Sequence, residues 1–353
     1  MLTLLSGTSA SLRSEVVRVL TEHRPGLVAV EYALDTAPDG LLVRTVLDAA
    51  GAHDVTRVEP VGCCLSCTVR ADAPEAVRLV DDAERWSEVV VALPSAVRPG
   101  ELADLLEHED LPVAAVAVAV DARLLLEQVR GDDLLAERGM AAAPTDRRST
   151  AELVLGQLDD ADVVLLAELH RAGTDTARTV EALLAHLSPL ALQLRLAPDA
   201  SGCEELLAPG RRSRTTQEER QQLATLAREL CPPACGVATV VWQSERPLHS
   251  GRLHAVLGEL VSVAVRSRGH VWLADRARWR LRWEQAGGSL SLGDPQRWTG
   301  LPGCELVLTG VGLDAAEVSA RLDGCLATDD ELADPGWPDP FEAALGPAED
   351  VVR

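Results

Sequence analysis

The chain has 353 residues, a net charge of −22 and 47% apolar residues. That is enough apolar material for two domains and too acidic for direct nucleic-acid binding, whose affinity rests on phosphate neutralisation. The sequence contains no Lys, Asn or Ile, so no lysine can reach a nucleotide's phosphates or form a Schiff base, and no asparagine can read a purine edge. The longest apolar run, residues 113–120, suits a buried strand and is far too short for a membrane span.

The N-terminus enters a strand pattern without a basic leader, so no secretory signal is expected. The eight cysteines then read as reduced thiols of a cytoplasmic protein rather than a disulfide framework. Strand patterns fall at 2–5, 27–32, 55–58, 88–93, 113–121, 163–166 and 190–196. Helical patterns lie between them, at 11–22, 72–82, 102–107, 122–129, 149–158 and 176–186. Asp72 with Glu75, and Ser149 with Glu152, have the spacing of capping boxes, in which side chains satisfy the first amides of a helix. Near-continuous apolar strands separated by helices predict an α/β domain, a doubly wound and mostly parallel sheet covered on both faces, over 1–196.

Residues 197–236 read as a linker, rich in Pro, Gly and charge, with Arg211, Arg212 and Arg214 as a short solvated basic run. Six of the seven tryptophans lie beyond Val240. Strand patterns at 237–242, 270–273, 279–283, 289–292 and 306–309, with helices at 253–262 and 314–325, predict a smaller α+β domain over 237–353. Its hairpin turns at Gly287-Gly288, and the second helix opens at Asp314.

The densest chemistry is Gly62-Cys63-Cys64-Leu65-Ser66-Cys67, three thiols on a strand-to-helix loop. Cys63, Cys64 and Cys67 can supply three thiolates to zinc, leaving one position for a carboxylate, with Glu59 the nearest, or for a partner's side chain. A Cys64–Cys67 redox pair or inert buried thiols are the alternatives. The first strand runs into Gly7-Thr8-Ser9-Ala10-Ser11-Leu12-Arg13-Ser14. A phosphate loop needs G-x-x-x-x-G-K-[ST]; Gly7 and Ser14 fit, Leu12 takes the glycine place and Arg13 the lysine place.

These two loops, with Arg246-Pro247-Leu248-His249, Arg268-Gly269-His270-Val271-Trp272 and Gly310-Val311-Gly312-Leu313-Asp314, resemble the CobW-like GTPase and metallochaperone family, whose phosphate loop and sheet are of the P-loop NTPase type. Three departures stand out. The phosphate loop lacks its second glycine and its lysine. The middle strand ends Ala92-Leu93-Pro94-Ser95 without Glu-x-x-Gly, and the later strand ends Ala167-Glu168-Leu169-His170 without Asn-Lys-x-Asp. The resemblance therefore implies zinc as the bound ion. It implies a pseudo-GTPase scaffold in which Gly7, Arg13 and Ser14 are remnants of the nucleotide site, arguing against GTP and magnesium as cofactors. An active GTP-dependent chaperone is the rival reading. The lysine-less form is similar to an actinobacterial branch linked to zinc limitation and recruitment of a ribosome hibernation factor. The implied partner is thus a protein, either that factor or a client metalloprotein, with no nucleic acid or membrane.

Other residues read as structural. Cys231 and Cys235, around two prolines, suit a linker staple, and Cys203, Cys304 and Cys325 suit packing. His249 and His254 suit capping or packing, and the tryptophans from Trp272 to Trp298 suit a small core. The acidic stretch from Asp329 to Asp339 reads as solvated surface.

Overall fold

Apolar strands flanked by helices fold into a sheet with two buried faces. The computed structural model describes residues 1–34, 42–62, 64–197, 206, 212, 227, 231–333 and 336–346. The chain divides into two units, Met1–Val180 with Leu190–Glu218, and Glu181–Pro189 with Glu219–Arg353.

In the first unit, β1 (Leu2–Gly7), β2 (Leu27–Leu34), β3 (Leu42–Asp48), β4 (Gly51–Val58), β5 (Glu88–Ala92), β6 (Val113–Asp121), β7 (Val163–Ala167) and β8 (Leu192–Arg195) form one sheet in the order β4-β3-β2-β5-β1-β6-β7-β8. The six strands from β2 to β8 in that order run parallel. β3 is antiparallel to both its neighbours, so a hairpin extends one edge. The helices are α1 (Ala10–His23), α2 (Leu65–Asp82), α3 (Pro99–His108), α4 (Leu125–Gln128), α5 (Thr150–Asp160), α6 (Leu169–Ala172) and α7 (Thr174–Leu187). Period-two alternation sorts β5 between two cores: Val89 and Val91 pack with α2 and α3 through Val69, Val77 and Leu102, and Val90 and Ala92 with α1 through Val16 and Leu20. Burying each such Val or Leu contributes about 1.5–3 kcal/mol, so truncating Leu102 to Ala would cost about 2–5 kcal/mol. This is the expected doubly wound sheet.

In the second unit, β9 (Val237–Ser244), β10 (Arg266–Val271), β11 (Trp279–Ala286), β12 (Ser289–Arg297) and β13 (Cys304–Val311) form a sheet in the order β12-β11-β10-β13-β9, every pair antiparallel. Trp242, Trp279 and Trp283 point to one face and pack with Leu253 and Leu260 of α8 (Ser250–Val263) and Leu322 of α9 (Ala315–Asp323). Trp279 and Trp283 therefore build a core, as expected, with Trp272 half-buried against it and Trp298 outside it, and the alternating Arg280 and Arg282 are exposed.

Several expectations are corrected. β3 was not expected; its alternation of buried and half-buried residues comes from hairpin pairing with β4, not from an apolar run. Asp72 does not cap a helix, because α2 begins seven residues earlier at Leu65. Its carboxylate instead accepts from Tyr32 Oη at 2.6 Å and from Arg44 Nη1 at 2.9 and 3.0 Å. Ser149 and Glu152 do form the capping box. Arg212 is not solvated, since its side chain is 5% exposed and paired with Asp104 and Glu107 at 3.0 Å; Arg211, Arg214 and most of 197–236 lie outside the described residues. Nor is the acidic stretch simply solvated. Glu331 holds Arg252 at 2.7 Å, and Asp339 holds the buried Arg276 at 2.5 Å.

Candidate functional site

Ligands of open α/β sheets gather at the carboxyl ends of the strands, where the loops after β1 and β4 both leave the sheet. The first loop is short and already full. Gly7 has φ +145°, and a Cβ added there would stand 2.4 Å from the Ala119 carbonyl oxygen on β6, so glycine is required for the close approach. Ser9 then caps α1: its Oγ accepts from the Leu12 amide at 3.2 Å and its carbonyl from the Arg13 amide at 3.2 Å. A phosphate cradle needs amides of this stretch turned toward a ligand. Here helix begins at Ala10 and takes them.

Arg13 folds back onto the same loop. It is 6% exposed; its Nη1 donates to the Gly7 carbonyl and, at 3.0 Å, to Ser95 Oγ, which itself donates to the Thr8 carbonyl at 3.0 Å. Burial lowers the guanidinium pKa to about 10, with Glu31 opposing, so the group stays charged at neutral pH. Ser14 donates to the Glu31 carboxylate. The structure thus brings Gly7, Arg13 and Ser14 together and satisfies the two side chains with protein groups. Ser95 is the contact that reading along the chain missed, because it lies 82 residues from Arg13. After β7, Glu168 stands at φ +61° and pairs with Arg171 at 3.1 Å.

The second loop is open. Cys64 is the N-cap of α2, and its Sγ accepts from the Cys67 amide at 3.2 Å. The two sulfurs stand 2.8 Å apart; Cys67 is exposed and Cys64 half-buried. Thr68 pins the approach to the helix: its Oγ1 accepts from the Val61 amide at 3.1 Å and donates to the Cys64 carbonyl at 3.3 Å. One turn further on the same face, Asp72 ties α2 to β2 and β3 through Tyr32 and Arg44, so Cys64, Thr68 and Asp72 form a line of anchors at helical spacing. Burial and the hydrogen bond to Asp72 hold the Tyr32 phenol protonated far above its usual range. A second clamp comes from residues 139–146: the Leu65 amide donates to the Ala142 carbonyl at 2.9 Å, and the Ala142 amide to Asp146 Oδ2 at 3.0 Å. Hydrogen bonding from Arg148 chiefly lowers the Asp146 carboxyl to about 2. Between clamp and loop lies an apolar cleft of about 560 Å³, lined by Leu34, Leu42, Val58, Leu65 and Pro144 and bordered by Cys64.

Cys63 lies outside the described residues. Among the described residues no three His, Cys, Asp or Glu side chains cluster closely enough to hold an ion, so exposed Glu59 does not join Cys64 and Cys67 as a set. Other thiols differ in kind. Cys231, Cys304 and Cys325 are buried, and burial raises their pKa, to about 11 for Cys304. Cys235 is exposed at φ +49°. His249 caps α8, accepting from the amides of Gly251 and Arg252, and stacks on Trp337, and His254 meets Phe341 edge-on, both as expected of packing groups.

The chain thus pairs an α/β unit, with a strand–loop–helix start and a thiol loop, with an antiparallel α+β unit. Residues 237–326 match the model of the Cobalamin synthesis protein cobW C-terminal domain. The chain is 26% identical over 376 residues to the zinc chaperone Rv0106 of Mycobacterium tuberculosis, covering 90% of this chain and 87% of that protein. It is 24% identical over 253 residues to zinc-regulated GTPase metalloprotein activator 1 of Dictyostelium discoideum, covering 67% and 53%. It also aligns with the crystal structure of the Zn(II)-bound YjiA GTPase from E. coli, at 16% identity and a TM-score of 0.39 over 92% of this chain and 98% of that one. The match over residues 237–326 and these relatives agree with the resemblance to the CobW-like family. No helix among the described residues is long and apolar enough to cross a membrane.

Proposed function

We propose that this protein handles zinc as cargo, holding it on the thiol loop and passing or reporting it through contact with another protein, without turning over GTP. The observation that carries the reading is the convergence of the Cys64 and Cys67 sulfurs at the entrance to α2, one of them exposed. Thiolates are the donors zinc prefers, and a loop-borne set that leaves a position open suits exchange better than permanent structure. Cys63, next in sequence, is the third thiolate of this reading, and the fourth position is left to a partner's side chain or water. Two relatives whose names describe zinc handling support the same cargo.

The state of the first loop supports the absence of turnover. Leu12 and Arg13 amides are bonded to Ser9, and Arg13 is spent on Gly7 and Ser95, leaving no lysine-like charge directed at a phosphate. The partner is a protein: a client metalloprotein or, in the branch the sequence resembles, a ribosome hibernation factor recruited when zinc is scarce. Metal analysis of anaerobically purified protein tests the proposal. One zinc per chain, lost in Cys64→Ser/Cys67→Ser, is expected, with no heat on titrating GTP and magnesium. Micromolar GTP binding that disappears in Arg13→Ala would overturn the pseudo-GTPase reading and restore the active chaperone.

A further inference from the structure

Resting on that reading, we infer that Cys64 and Cys67 are also a reversible oxidation site, whose closure to a disulfide expels the ion and makes loading depend on the thiol–disulfide balance around the protein. The sulfurs stand 2.8 Å apart, one on the N-cap and one in the first turn of α2, within reach of a bond between them. The Cys67 amide donates to Cys64 Sγ at 3.2 Å, which holds the two residues together at the helix entrance. Cys67 is exposed, and the half-buried Cys64 lies behind it at the cleft. By contrast, Cys231, Cys304 and Cys325 are buried. Cys235 is exposed as well, and what distinguishes Cys64 and Cys67 is that their two sulfurs stand 2.8 Å apart.

The oxidant is a low-molecular-weight disulfide such as oxidised glutathione. Cys67 gives up its proton and attacks one sulfur of the oxidant; the oxidant's S–S bond breaks, and one glutathione leaves as a thiol. Cys64 then loses its proton and attacks Cys67 Sγ, breaking the mixed disulfide and releasing the second glutathione as a thiol. The protein loses two electrons and two protons, and the oxidant gains both. A disulfide has no thiolate to donate, so at least two ligands are lost in one step.

The test uses the full chain and oxidised glutathione. Metal-free protein is incubated, trapped with an alkylating agent and mapped by mass spectrometry. A Cys64–Cys67 disulfide is expected, undone by reduced glutathione. Cys64→Ser keeps an N-cap oxygen, preserving the helix entrance, and should stop at a stable mixed disulfide on Cys67. Cys63→Ser should still close the pair. No disulfide, or pairing through another cysteine, overturns the inference. In a second arm, zinc-loaded protein should release zinc to a chromogenic chelator in step with disulfide formation, and a disulfide formed with zinc retained also overturns it. If the reduced protein binds no zinc, the proposed function fails, while the metal-free arm still decides the chemistry of the pair.

Discussion

Two loops at the same edge of one sheet have opposite fates. The loop after β1 is closed by its own residues: a helix cap takes the Leu12 and Arg13 amides, and Arg13 folds back onto the Gly7 carbonyl and Ser95. The loop after β4 is clamped from beneath by Thr68 and from the side by Ala142 but presents sulfur outward. In the proposed reading more than the absence of a lysine sets the first loop apart, since Arg13 and Ser95 are bonded to each other there. Keeping a site took anchors placed away from the ligating atoms.

The largest expected effect is on metal. Cys64→Ser/Cys67→Ser should weaken zinc binding at least about 100-fold in a competition titration, since even outer-shell partners of metal ligands contribute about 10- to 100-fold. Arg13→Ala should leave zinc affinity unchanged. The next is on stability. Gly7→Ala forces a side chain to 2.4 Å from the Ala119 carbonyl oxygen and should cost about 2–4 kcal/mol in urea unfolding, whereas Gly62→Ala, also at positive φ but with its Cβ in ordinary contact with Cys67 Cβ at 3.5 Å and Sγ at 3.8 Å, should cost less. A smaller effect concerns the anchors. Thr68→Val should lower stability by about 1 kcal/mol and loosen the thiol loop, seen as faster amide exchange at Val61 and weaker zinc binding.

The smallest is a pH effect. The Asp146 carboxyl is lowered from 3.8 to about 2 in the folded protein, so its contribution is present in full above the unfolded value and is lost as pH falls through the folded one. Amide exchange at Leu65 and Ala142 should therefore rise below about pH 3.8, and Asp146→Asn should show that faster exchange already at neutral pH. No change in exchange across that range would remove the carboxylate from the clamp.

The same contrast separates what was legible in the sequence from what was not. Apolar runs such as 113–121 announced the parallel sheet, because a strand buried on both faces must be apolar throughout. Three thiols in five positions announced the second loop. β3 escaped, since Arg44 and Thr45 interrupt its apolar residues, although Arg44 is buried through its pairing with Asp72. Asp72 was misread because a carboxylate three residues before a glutamate has the spacing of a cap, while its true partners, Tyr32 and Arg44, lie 40 and 28 residues away. Gly7, Arg13 and Ser14 could be aligned to a motif, but the occupation of that loop by Arg13 depended on Ser95, which chain order does not bring near.

The most direct measurement is X-ray absorption at the zinc edge on anaerobic full-length protein, paired with metal stoichiometry. One zinc per chain in a sulfur-rich shell, unaltered by GTP and abolished in Cys64→Ser/Cys67→Ser, is the predicted result. Zinc absent from the wild-type chain, or a shell unchanged in that double variant, would contradict it.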